Sequence, residues 1–246
     1  MNRLIKCFGL LLAISFAAAL SAGNEKIGSI LAVKGSVEAR DLNTGKKYLI
    51  KKGQNLYANI MIKTAKGAQV LLGFNNGIQR LILANSEFML KSVPGKTLED
   101  QTLEEIQKMM TVGGVKASSQ EKKMVWKDGG EQEAKQAETE KSVIQRVKTY
   151  FSGKKYYEIF LEIEKNPGLE KNTKLSPLIG FTYLKLGLGE KSKAIFESMQ
   201  DSELSSLGLF LSWIEMGNTE EARKIYLTLS PSADYYKKLG ELVEPK

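Results

Sequence analysis

The sequence predicts a β + α two-domain chain, an all-β module followed by an α-helical hairpin array, on three observations. From Ile27 to Val93 apolar residues recur with a period near two, and turn residues interrupt them roughly every eight to twelve positions. From Val143 the period becomes helical and its segments repeat. Between the two lies a charged connector that, beyond one short helix, has no apolar face. These changes divide the 246 residues into a leader at 1–22, a β module at 23–96, a charged linker with one short helix at 97–141, and helical repeats at 142–246.

The leader differs in kind from the rest. Arg3 and Lys6 precede an apolar run from Cys7 to Leu20, after which Ser21-Ala22-Gly23 supplies the small residues of a signal-peptidase site. The run is shorter than the roughly 20 residues a bilayer span needs, so a cleaved secretory signal is expected and an uncleaved anchor is the weaker alternative. Cys7 stands at the front of the run and not just after it, so the lipoprotein arrangement is missing. An exported protein, periplasmic and without stable membrane insertion after cleavage, is the expectation.

In the β module Val70, Leu72 and Phe74 alternate with Gln69, Leu71 and Gly73, and a second alternating run begins at Ile78. Asn75-Asn76-Gly77 joins them, and Asn-Gly is the pair that supplies positive φ angles to a tight hairpin turn. Further turns are predicted at Lys34-Gly35, Asn43-Thr44-Gly45, Lys52-Gly53, Lys66-Gly67 and Asn85-Ser86. No Pro breaks these runs, so a sandwich or a β-helix is expected. The order Gly28-Ser29-Ile30, Val33-Lys34-Gly35-Ser36-Val37, Ile50-Lys51-Lys52-Gly53-Gln54-Asn55-Leu56, Ile62-Lys63-Thr64, Ala68-Gln69-Val70, Phe74-Asn75-Asn76-Gly77 and Leu83-Ala84-Asn85-Ser86 resembles the FecR domain. That resemblance implies a periplasmic β module of the kind found in regulators of iron-citrate uptake. The chain lacks the cytoplasmic anti-sigma segment and membrane helix of those regulators.

The linker opens at Pro94-Gly95. Thr102 with Glu105 forms a capping-box pattern ahead of Leu103, Ile106 and Met110. Beyond Gly113-Gly114 the residues are mostly Gln, Glu, Lys and Ala, too polar to offset the entropy of ordering. Met124-Val125-Trp126 interrupts them. Trp126 either folds back onto the β module or serves as a docking anchor for a partner.

In the helical part Gly153 precedes Pro167 by the same interval as Gly217 precedes Pro231. Gly180, Tyr183, Gly187 and Ala194, then Trp213, Gly217, Ala222 and Tyr226, give the order small residue, aromatic, inter-helix Gly, Ala. This pattern resembles the tetratricopeptide repeat in about three units. Glu158 stands where the first unit should have Ala, and Leu188 and Gly189 are two extra residues in the second. Stacking of such units covers the apolar face each leaves bare. Residues Tyr235 to Val243 are expected to form a closing helix.

Composition narrows the function. The chain has no histidine and a single cysteine, Cys7 in the leader. Disulfides, Ser-His-Asp and Cys-His nucleophiles and the usual zinc ligand sets are therefore not expected, and no catalytic, cofactor or metal residue is assigned. Carboxylates such as Glu38, Asp41 and Glu87 show no pairing that would mark an acid/base couple. Residues 23–96 carry 12 Lys or Arg against 4 Asp or Glu, so the basic excess of the +8 chain lies there. Lys46, Lys47, Lys51 and Lys52 flank one predicted strand. They read either as a solvated edge that discourages unwanted pairing or as a site for anionic envelope polymer or an acidic protein face. Two function classes follow: a non-enzymatic envelope interaction module or scaffold binding envelope proteins or an anionic envelope polymer, or a periplasmic sensor related to FecR-type iron-uptake signalling. Nucleic acid is not an expected partner.

Overall fold

The computed structural model describes residues 26–93, 142–231 and 236–243. The expected signal peptide, the linker with its short helix, and Trp126 lie outside the described residues. The chain divides into two compact units, Met1–Gly77 with Ile82–Pro94, and Ile78–Leu81 with Gly95–Lys246.

The N-terminal part is built from β1 (Lys26–Lys34), β2 (Val37–Asp41), β3 (Lys47–Leu49), β4 (Asn55–Tyr57), β5 (Ile60–Thr64), β6 (Gln69–Phe74), β7 (Gln79–Ile82) and β8 (Glu87–Leu90). They form two four-stranded sheets, in the orders β4-β1-β6-β7 and β3-β2-β5-β8. Every registered pair is antiparallel, the pairing of a sandwich and not of a parallel β-helix, so that alternative is set aside. The second sheet keeps a strict period of two. Val37, Ala39, Ile60, Ile62 and Leu90 are buried, while Glu38, Arg40, Lys63, Glu87 and Met89 point the other way. The first sheet departs from it at β6, where Gln69 through Leu72 are all buried. Opposite them β1 carries a bulge between Ile30 and Ala32, and the extra residue, Leu31, rests its side chain over Gly73.

The predicted hairpin forms between β6 and β7, but its turn differs from the Asn-Gly expectation. The Gly77 N–H donates to the Phe74 carbonyl at 2.9 Å, and Gly77 has the positive φ, 87°, while Asn76 does not. This is a four-residue turn closed by a left-handed glycine. Four residues, 75–78, separate the two strands, two more than a two-residue Asn-Gly turn would leave.

The C-terminal part contains seven α-helices among the described residues. These are α1 (described over 142–152), α2 (Tyr156–Lys165), α3 (Ser176–Lys185), α4 (Gly189–Glu197), α5 (Glu203–Glu215), α6 (Thr219–Tyr226) and α7 (Tyr236–Val243), with a 3-10 turn at Pro167–Lys171. No helix among the described residues is long and apolar enough to cross a membrane.

Six of the helices form three hairpins with one shared connection. Lys154, Gly187 and Gly217 take left-handed φ of 55°, 73° and 75° at the same place, two residues past α1, α3 and α5. The N–H of the next residue, Lys155, Leu188 or Asn218, then donates to the carbonyl of Tyr150, Tyr183 or Trp213 at 2.8, 2.8 and 2.9 Å. That bond closes a Schellman-type C-cap in all three. The expected inter-helix glycine of the first unit is therefore displaced by one. Lys154 and not Gly153 holds the left-handed position, at a steric cost glycine would not incur.

The same geometry corrects the second unit. Its turn is no longer than the others, so Leu188 and Gly189 are not an insertion there; they are the cap and first residue of α4. Five residues past the left-handed position stand Ile159, Ser192 and Ala222, all with no exposed surface. Ser192, not the exposed Ala194, thus occupies the place of close helix approach, and its hydroxyl hydrogen-bonds that of Ser212 on α5 at 2.9 Å. In the first unit the place belongs to Ile159 and not to Glu158. The closing helix is present as α7. Tyr236 stacks on Tyr226 of α6 at 4.3 Å, and Arg223 donates to the Val243 carbonyl at 2.5 Å.

Candidate functional site

The four lysines read as one cluster are separated by the strand they flank. Lys46 and Lys47 lie where β3 meets the Asp41 end of β2, since Arg40 pairs with Lys47 and the Asp41 N–H donates to the Lys46 carbonyl at 2.9 Å. Lys51 and Lys52 lie at the opposite end, because the Ile50 N–H donates to the Val37 carbonyl at 2.9 Å. All four are exposed. Lys47 also faces Glu38 across the pair, Nζ to Oε1 at 3.3 Å. Trp126, the remaining candidate, is among the residues not described.

The described carboxylates of this unit are engaged in local structure. Asp41 Oδ1 accepts from the backbone N–H groups of Asn43 and Thr44 at 2.8 and 2.9 Å, and the Thr44 N–H above all holds its carboxyl below the usual range. Glu87 pairs with Lys63 at 2.5 Å, and that hydrogen bond likewise pulls its carboxyl down. Glu38 and Glu87 do share the outer face of the second sheet, but Lys63 stands between them in register. A general acid needs a raised carboxyl; Asp41 and Glu87 are moved the other way. Among the described residues no group of three or more His, Cys, Asp or Glu could hold a metal ion.

In the helical part, side chains that sequence reasoning passed over gather around the aromatic positions. Lys191 places Nζ 5.3 Å from the Tyr183 ring centroid and 5.7 Å from that of Phe160, and Lys193 places Nζ 4.8 Å from Trp213, within cation–π range. The Tyr183 hydroxyl donates to the Glu170 carboxylate of the 3-10 turn. Lysines two apart on a helix carry no signal of their own; the signal was the aromatic four residues before each left-handed turn.

Tyr183 is 1% exposed, and burial first, then its hydrogen bond to Glu170, pushes its phenol well above the ordinary value. A group whose folded pKa is raised favours the fold fully below its unfolded pKa, about 10 for tyrosine, and loses that contribution as pH rises beyond it. Denaturant unfolding of the full chain between pH 8 and 11 should therefore show stability falling above about pH 10. The fall should be less steep in Tyr183→Phe; identical slopes in the two proteins would remove Tyr183 as the source.

No protein-family model matches this sequence, and no curated protein matches it. A solved structure described as a cell surface anchoring domain is 24% identical, with 27% of this chain covering 87% of that one at a TM-score of 0.26. A likeness that slight assigns neither a fold nor a role, and this chain is described by its own two units.

Proposed function

We propose that this chain is a non-catalytic binding protein of the bacterial envelope, exported to the periplasm. Its helical part is a degenerate tetratricopeptide-like array that engages a partner protein, and its β part is a FecR-like module. The observation that carries the reading is the threefold recurrence of one helix connection, with an aromatic residue, Tyr150, Tyr183 or Trp213, at the same place in each hairpin. Repeated hairpins stack into extended surfaces suited to protein partners. The sequence resemblance of the β part, the absence of histidine and the engagement of Glu38, Asp41 and Glu87 in pairs and turns support a role without chemistry.

In-cell crosslinking followed by identification of captured proteins tests this, using the full chain and a chain ending at residue 141. Loss of most partners from the shorter chain is expected. An unchanged partner set would refute the assignment of recognition to the helices. Reproducible turnover of an envelope substrate, abolished by one point substitution, would refute the non-catalytic reading.

A further inference from the structure

The fold assembles a basic surface that the sequence does not display as a unit. Four turns meet at the Val37 end of the β unit. The Ala65 N–H donates to the Ser36 carbonyl at 3.1 Å, joining the β5–β6 turn to the β1–β2 turn. The Ser86 N–H donates to Thr64 Oγ1 at 3.0 Å and the Asn85 N–H to the Ala65 carbonyl at 3.4 Å, which brings in the β7–β8 turn. The bond from Ile50 to Val37 adds the β3–β4 turn, whose Gly53 N–H reaches the Ile30 carbonyl of the other sheet at 2.8 Å. Through this convergence Lys51 and Lys52 join Lys66 and Lys34, all exposed. The backbones at Lys51 and Lys66 stand about two strand spacings apart, roughly 10 Å, comparable with the screening length at 0.1 M salt. Their fields therefore add.

The described residues of these turns include no carboxylate. Of the described carboxylates in the unit, Asp41 lies at the opposite end, Glu38 is matched by Lys47, and Glu87 is matched by Lys63. The chemistry of the surface also selects its partner. The large apolar residues exposed in this unit are Leu31, Leu42, Leu49, Tyr57 and Met89; none is a turn residue, and only Leu49, at the end of β3, and Leu31, next to Ile30, border the turns. A protein interface would need such anchors at its centre. No aromatic ring is available on these turns for base stacking and no arginine for a two-pronged base contact, which disfavours nucleic acid. What remains is attraction by flexible ammonium groups that impose no fixed geometry.

From this convergence of Lys51, Lys52 and Lys66, with Lys34 beside them, we infer that the β unit binds a flexible phosphate-bearing polymer that is neither protein nor nucleic acid. The inference deepens the envelope-binding reading by naming a ligand class for the β unit, and it is independent of the helical partner.

Linear polyphosphate serves as the probe, titrated against the full chain at 50 and 300 mM NaCl. Affinity should drop at least about tenfold between the two salts. It should drop at least about tenfold at low salt in the Lys51→Gln/Lys52→Gln/Lys66→Gln variant, but no more than about threefold in Arg40→Gln/Lys46→Gln/Lys47→Gln, which removes equal charge from the other end. The single Lys66→Glu variant gives the same reading if the triple variant does not fold. Equal losses in the two triple variants would reduce the effect to overall charge and overturn the site. Tighter binding of a polyglutamate peptide or of single-stranded DNA through the same lysines would overturn the partner class. Failure of the unsubstituted full chain to bind polyphosphate at low salt, with its crosslinked partners still captured, would leave the helical reading intact and remove this one alone.

Discussion

Replacing Phe196 by alanine is expected to cost the helical unit about 3–5 kcal/mol. The ring is 1% exposed and is held from two sides by residues that have no side chain. A Cβ placed on Gly180 of α3 would come within 2.6 Å of it, and one on Gly208 of α5 within 2.4 Å of three ring atoms. Phe181 adds an edge contact at 5.1 Å. One aromatic ring of α4 thus fills the space between the first helices of successive hairpins, and truncation would leave a cavity that the surrounding backbone cannot close. The converse change is costly as well. Gly208→Ala must displace the ring and should cost about 1–3 kcal/mol. Because both substitutions act on one volume, Gly208→Ala should be better tolerated in a Phe196→Leu background than in the wild type. Denaturant unfolding followed by far-UV circular dichroism measures the wild type and the four variants; strictly additive losses would show that ring and glycines do not share the space.

Gly28→Ala should be similarly damaging in the β unit, by about 3 kcal/mol or more, for a different reason. Its Cβ would lie 2.2 Å from the Gly73 carbonyl oxygen and 3.0 Å from the Phe74 Cα. Both obstacles are backbone of the paired strand, so no side chain can swing away. Relief requires separating β1 from β6, the central pair of the first sheet. Gly77→Ala provides the contrast. That glycine has φ of 87° and nothing within 4 Å of the methyl that alanine would add, so its replacement should cost about 1–2 kcal/mol of left-handed strain alone. Hydrogen exchange resolved by peptide should show β1 and β6 losing protection in Gly28→Ala and retaining it in Gly77→Ala. Equal protection in both would mean that the strands can shift to admit the methyl.

The contrast among these sites shows which features were legible in the residues. The general period near two holds in the second sheet, where Val37, Ala39, Ile60 and Ile62 face one side only. It misdescribed β6, a central strand buried at consecutive positions, where polarity no longer reports on facing. The helical hairpins were legible through Gly187 and Gly217, but the first was misregistered because Lys154 holds a conformation that a search for glycine overlooks. Ser192 was missed for a related reason. A buried serine that hydrogen-bonds across to Ser212 does the work expected of alanine, yet its residue type reads as surface.

The amino-acid order by itself determined where the period changes from two to helical, where turns must fall, and that neither histidine nor a cysteine other than Cys7 is present. Those are properties of near neighbours, fixed by backbone sterics and by the face each side chain must turn to its own element. Only the tertiary structure decided which charges act together. A strand of three residues carries Lys46 and Lys47 away from Lys51 and Lys52, and hydrogen bonds between distant turns bring Lys66 in their place. Electrostatic fields depend on distance through space, and that distance is set by strand pairing rather than by position along the chain.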